Sequence, residues 1–220
     1  MPEFVNERRV CDMNNHLRSN VLLLLLLVCV ILPSAKAWAQ LPPKIDGLPP
    51  FPETAQFDIA LADIYAELFP EKSMAYVICN LWLTCDGVNP VLLQLGGDIQ
   101  TMKVTAPEKI NLTYVYIKPY LHLDNLPAGN YQIVFTYEVK HDGITSTGLI
   151  SAADLRLDAG SYWYPRNVAL DPHQVILSLV TSPDYAVTSN AAVYKDVPNN
   201  LKRMRQLVLT TAAADGLTLD

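Results

Sequence analysis

The chain has 220 residues, half of them hydrophobic, with 16 Lys and Arg against 22 Asp and Glu and a net charge of −6. That balance excludes an ordinary nucleic-acid binder, which needs a cationic face to neutralise phosphates. The length suits one domain of roughly 100–200 residues with a real core behind a short leader.

Arg8, Arg9 and Arg18 precede an uninterrupted apolar run from Val21 to Leu32, followed by Pro33 and the small-residue stretch Ala35-Lys36-Ala37-Trp38-Ala39. This order predicts a secretory signal peptide over residues 1–39, cut before Gln40, with Ala35-x-Ala37 as a second frame. The run stops short of the roughly 20 apolar residues that span a bilayer, and an uncleaved anchor is the alternative. The leader takes four of the 16 basic and three of the 22 acidic residues, which leaves the mature chain at −7. The expected location is periplasmic or extracellular, with no membrane contact after cleavage.

Residues 40–54 include the proline-rich LPPKIDGLPPFP and read as an extended linker. A β-rich body follows over 55–220. "FDIALADIYAELF" alternates Phe57, Ile59 and Leu61 against Asp58, Ala60 and Ala62; "MAYVICNLWLTC" and "INLTYVYIKPYLHL" are rich in β-branched and aromatic residues; "NYQIVFTYEVK" alternates Ile133, Phe135, Tyr137 and Val139. These are predicted strands. Turn signals separate them at Pro70-Glu71-Lys72, Asp86-Gly87, Gly96-Gly97-Asp98, Pro127-Ala128-Gly129-Asn130 and Asp142-Gly143. No helix of ordinary length is required, and many short strands with frequent turns predict an all-β fold, an antiparallel β-sandwich or saddle-like, partly open barrel.

Export leaves one even pair of cysteines, Cys79 and Cys85. Six residues of straight strand span about 20 Å, against about 5.5 Å between bridged Cα atoms. A disulfide therefore needs a bend between them; on a continuous strand both thiols share one face and pack as small buried groups.

Catalytic signatures are absent: there is no H-E-x-x-H, G-x-S-x-G, C-x-x-C or glycine-rich phosphate loop. His122, His141 and His173 lie in separate segments and would have to converge to hold zinc; surface or turn positions are the simpler expectation. Asp154, Asp158 and Asp171 surround the stretch "AGSYWYPRN" without an identifiable partner acid. Lys202, Arg203 and Arg205 form the one basic cluster, expected as a solvated hairpin flank. Asn111-Leu112-Thr113 fits a glycosylation sequon, placed in a predicted strand. Neither cofactor nor metal is called for. Within "AGSYWYPRN", Tyr162, Trp163, Tyr164 and Pro165 read either as core or interface packing or as a stacking platform for a sugar or peptide.

Taken in order, "AELFPEKSMAYVICNLWLT", "PVLLQLGGDIQTMKVT", "LPAGNYQIVFTYEV" and "SYWYPRN" followed by "QVILSLVTSPDYAVTSN" resemble the N-terminal β-domain of M1 (aminopeptidase N-like) metallopeptidases, especially divergent bacterial members. The likeness covers about residues 55–220. It implies an opening hairpin, an aromatic-Pro motif, then a strand, a Pro-x-Tyr turn and a short strand ending in Ser-Asn. It also implies that Trp163, Tyr164 and Pro165 sit where the chain turns toward a catalytic domain. The family's zinc and substrate-amine motifs, H-E-x-x-H with a downstream Glu and G-x-M-E-N, have no counterpart here. Arg166-Asn167-Val168 stands where typical members carry Asp-Glu-Pro, and "ISAADLRLDAG" offers no matching substrate-contacting Gln or Glu. A non-catalytic structural or interaction domain, partnered by a metallopeptidase catalytic domain or another protein, is thus one expectation; a stand-alone secreted carbohydrate- or peptide-binding module using Tyr162–Tyr164 is the other. The closing "QLVLTTAAADGLTLD" reads as an interrupted alternating pattern, with Leu217 and Leu219 awaiting a partner and a sticky edge.

Overall fold

The computed structural model describes residues 57–209, except 89, 108–109, 145–147, 170 and 200, together with Leu219. The expected signal peptide (1–39), the linker (40–54) and Leu217 lie outside the described residues. Among the described residues there is no α-helix, and no helix long and apolar enough to cross a membrane.

Three strands made from the alternating runs form the backbone of the larger sheet: β1 (Phe57–Phe69), β2 (Met74–Cys85) and, further on, β7 (Gly129–Lys140). Between β2 and β7 lie β3 (Val91–Gln94), β4 (Asp98–Thr105), β5 (Thr113–Ile117) and β6 (Tyr120–Asp124). After β7 come the short β8 (Leu149–Ile150), β9 (Leu155–Arg156) and β10 (Arg166–Asn167), then β11 (Gln174–Thr181), β12 (Ala192–Pro198) and β13 (Arg203–Leu209). The larger sheet has seven strands in the order β12-β13-β11-β1-β2-β7-β4; a second has four, β10-β3-β6-β5; β8 and β9 pair by themselves. One core lies between the sheets, with Ile64, Val77, Leu81, Phe135 and Leu177 of the larger meeting Leu93, Leu121 and Leu123 of the smaller. This is the expected sandwich, with one departure. β1 and β11 run parallel, Leu61 opposite Gln174 through Glu67 opposite Val180, so the larger sheet is mixed.

Three local readings change. The alternation of β1 is not continuous, because a β-bulge between Ile59 and Leu61 shifts its register on β2. Ala62, Ile64, Ala66 and Leu68 therefore take over the buried face from Phe57 and Ile59, and Leu61 leaves it. "INLTYVYIKPYLHL" is a hairpin and not one strand. Pro119 offers no N–H to a ladder, and β5 and β6 pair antiparallel across Lys118-Pro119, from Ile117 opposite Tyr120 to Thr113 opposite Asp124. Asn111 precedes β5 and is exposed. Finally, the stretch before Ser189-Asn190 is not a strand; Ser189 makes a single bridge.

That bridge is to Leu219, which also pairs with Leu157 through Leu157 N–H to Leu219 O at 2.9 Å and the reverse bond at 3.1 Å. Leu219 is buried, so it does not await a partner. The outer edge of the larger sheet is β12, exposed at every residue. Val193 and Tyr194 face solvent there, but a bulge between Val193 and Lys195, the charges of Lys195 and Asp196, and Pro198 at its end interrupt it as a template.

Candidate functional site

The stretch 159–167 follows the Leu155–Leu157 segment through a 3₁₀ turn, Ala159–Ser161. Asp158 shapes that turn, its carboxylate accepting from the Ser161 N–H at 2.9 Å and its carbonyl from the Ser161 hydroxyl at 2.6 Å. Tyr162 then takes φ +46°, a left-handed conformation uncommon for an aromatic residue, and its carbonyl accepts from Gly96 N–H at 2.7 Å. The β3–β4 turn must be glycine there, since a Cβ on Gly96 would stand 2.0 Å from the Ser161 carbonyl oxygen.

The aromatic side chains point inward. Trp163 and Tyr164 are 2% and 1% exposed, pack edge to face with centroids 5.0 Å apart, and belong to the main core. The Tyr137 hydroxyl, raised well above its ordinary pKa by burial, donates to the Trp163 carbonyl at 2.9 Å. Pro165 is buried as well. Only Tyr162 is half-buried, and the Arg166 guanidinium lies 5.0 Å from its ring centroid and 5.8 Å from that of Tyr164. Within this chain, Trp163, Tyr164 and Pro165 are thus packed in the interior, the core placement that was one of the two expectations for this stretch.

Beyond Arg166, polar groups tie this stretch to the start of β1. Asn167 Nδ2 donates to Phe57 O at 3.0 Å and to the Asp171 carboxylate at 3.1 Å; the same carboxylate oxygen accepts the Ile59 N–H at 2.9 Å. Burial raises the Asp171 pKa, and the Asn167 and Ile59 hydrogen bonds pull it back. His173 Nδ1 lies 2.7 Å from the Asp171 carbonyl. That bond fixes the proton on Nδ1, and Nε2 is buried without a partner among the described residues. Tyr164 meets this ring at 6.2 Å.

The remaining candidates are scattered. Asp154 accepts from Arg156 Nε at 3.1 Å on the β8–β9 hairpin. His122 lies on β6, its Nε2 3.4 Å from Asp124 Oδ1 but outside hydrogen-bonding geometry. It lines a groove of about 600 Å³ with Gly87, Val88, Pro90 and residues 123–127. His141 closes β7. All three histidines are buried, at 8%, 0% and 6% exposure; they are neither surface nor turn residues, and the acid within two residues of each made an exposed position the simpler expectation. Among the described residues, no three His, Cys, Asp or Glu side chains converge as a metal would require. Cys79 and Cys85 sit on one unbroken strand as free, buried thiols, the continuous-strand arrangement of the two alternatives; burial leaves Cys79 far from ionising. In the basic cluster Lys202 pairs with Glu67 and Arg203 with Asp196. Arg205 departs from the expected solvated flank: it is 5% exposed and donates to the Tyr185 carbonyl at 2.7 Å.

Solved structures place the fold of this all-β chain. No family model and no curated protein matches the sequence. An M1 zinc metallopeptidase from Deinococcus radiodurans superposes with a TM-score of 0.57 at 12% identity, over 78% of this chain and 43% of that one. A two-domain M1 zinc metallopeptidase variant bound to L-tryptophan gives 0.59 at 12% identity, over 77% and 44%. A variant of the Deinococcus radiodurans enzyme bound to a Tyr-Ser-Ala substrate gives 0.57 at 13% identity, again over 77% and 44%. The chain has the fold of the N-terminal region of these proteins and spans less than half their length.

Proposed function

We propose that this chain is a non-catalytic, exported β-domain of M1 metallopeptidase type, with a structural or interaction role beside a zinc-bearing catalytic domain or another protein. The observation that carries the reading is the fold likeness, which takes in most of this chain and less than half of two-domain zinc metallopeptidases. The internal placement of the aromatic stretch supports it: Trp163 and Tyr164 hold the sandwich together, and Asp158 and Asp171 shape a turn and a strand junction instead of facing a substrate. A catalytic zinc needs about three protein ligands, an open position and a general base.

The test is metal analysis after dialysis together with an assay on Tyr-Ser-Ala and aminoacyl nitroanilides. The expected result is no stoichiometric zinc and no turnover, alone, with complex formation when a purified M1-type catalytic domain is added. About one zinc per chain, or turnover lost on replacing His122, His141 or His173, overturns it. For export, intact mass of secreted protein is expected to begin at Gln40, and retention of residues 1–39 would contradict that part.

A further inference from the structure

Residues 148–164, comprising β8, β9, the 3₁₀ turn and the aromatic stretch, form a strap that carries little ladder of its own. Backbone and side-chain hydrogen bonds tie it down, Ile150 N–H to His141 O at 2.6 Å, Gly96 N–H to Tyr162 O at 2.7 Å, Tyr137 Oη to Trp163 O at 2.9 Å and the paired bonds of Leu157 and Leu219, and Ile150, Leu157, Trp163 and Tyr164 anchor it in the core. His141 stands where these meet. Its own N–H donates to Ser73 O at 2.9 Å, and its ring is fully buried.

Two glycines cradle that ring. A Cβ on Gly97, which has φ +79°, would stand 2.9 Å from both Cε1 and Nε2 and 2.2 Å from Val139 Cγ2; one on Gly148 would stand 2.7 Å from Nδ1 and 3.0 Å from Leu157 Cδ2 and Ser161 Cβ. The imidazole is thus wedged between the β3–β4 turn and the start of the strap. Among the described residues, neither ring nitrogen has a hydrogen-bond partner. A neutral imidazole tolerates this; an imidazolium, with a full charge and two N–H donors, does not.

We propose that His141 is an acid-sensitive latch: its neutral ring keeps the strap seated, and protonation, which requires the ring to leave its cradle, raises the fraction of molecules in which residues 148–164 open locally while the strands of the larger sheet stay paired. Burial pushes the imidazole down to about 4, Lys118 of the β5–β6 turn acts in the same direction, and Asp142 opposes both. Gly97 and Val139 on one side, and Gly148, Leu157 and Ser161 on the other, bring no charge to it. The released ring titrates near its ordinary 6.5, so the open state binds the proton more tightly. Opening is therefore pH-independent above about pH 7, grows close to tenfold per pH unit between roughly pH 6 and 4, and levels off below, about 300-fold in all.

Hydrogen exchange of the full chain by mass spectrometry, from pH 7.5 to 4.5 and corrected for intrinsic exchange, reads this directly. Amides of 148–164 are expected to gain exchange on that slope while those of β2 do not, and His141→Leu is expected to flatten it. An unchanged strap in the wild type, the same slope in His141→Leu, or β2 opening in step with the strap overturns the latch. Should His141→Leu not fold, NMR titration of the His141 Cε1 proton in the wild type decides: a midpoint near 4 with strap signals broadening supports the latch, and one near 6.5 refutes it.

Discussion

The centre of the larger sheet and the span from His141 to His173 are buried alike but by different means. In β1, β2, β7 and β11 the inward positions are Ile64, Ala66, Val77, Leu81, Ile133, Phe135, Val175 and Leu177, all apolar, with the ladder satisfying the backbone. In the second region the interior takes Ser161, Arg166, Asn167 and His173 alongside Trp163 and Tyr164. Here side chains replace the ladder: Asn167 caps Phe57, Asp171 caps Ile59, and Tyr137 reaches across for Trp163. Methyl groups tolerate small changes of shape and are indifferent to pH, whereas a polar interior fails when one partner or one proton changes.

The largest effect that separates the two regions is expected from Trp163→Ala. It removes a core ring from the irregular span and should cost about 3–5 kcal/mol, read as the shift in urea midpoint at constant slope. Asn167→Ala comes next. It leaves the Phe57 carbonyl unpaired and strips a donor from Asp171, each buried loss being worth about 1–3 kcal/mol; thermal unfolding would show it, and a change under 0.5 kcal/mol would mean that the junction with β1 is not held as described. In the sheet centre, Ile64→Val should cost only about 0.5–1.5 kcal/mol, so a larger loss there than at Asn167 would invert the comparison.

Acid sharpens it further. The His173 pKa is lowered by burial, opposed by its contact with Asp171, so the unfolded chain binds that proton more readily and stability falls as pH drops through about 6.5. Asp171 acts in the opposite sense and lower on the scale: burial raises its carboxyl above 3.8, so its destabilising ionisation is relieved as pH falls through the raised value. Thermal melts from pH 7.5 to 5 are expected to lose stability, less so in His173→Gln. The smallest effect belongs outside both regions: Tyr194→Ser, at 77% exposure on β12, should change stability by no more than about 0.5 kcal/mol.

This contrast also explains what could be read in the sequence. β1, β2 and β7 were legible because their apolar residues recur every second position, and their turns carry Pro, Gly and Asn. The bulge after Ile59 was not, since Ala60 and Ala62 are small enough to serve on either face and mask the change of phase. The β5–β6 hairpin was hidden for a related reason: Lys118-Pro119 is the whole turn, and both flanks are strongly β-prone. In the irregular span the aromatic residues stood out but not their direction. Whether Trp163 faces a ligand or a core depends on the left-handed step at Tyr162 and on Gly96 sixty-odd residues away, a contact that no local pattern encodes. The buried state of His141, His173 and Arg205 was illegible likewise, because polar residues enter an interior only through partners or cavities that the finished fold supplies.

The parallel pairing of β1 with β11 sets the order in which the molecule can assemble. β1 finds β2 across a four-residue turn, and β2 meets β7 before the chain is two-thirds made, but Leu61 must wait for Gln174, 113 positions later. Closing so long a loop costs entropy before any contact repays it, and folding slows accordingly. Until β11 arrives, one side of β1 offers its amides and carbonyls to any passing strand. During synthesis the seam stays open until β11 has been made, so the incomplete chain, more than the finished one, exposes this strand edge to unwanted pairing.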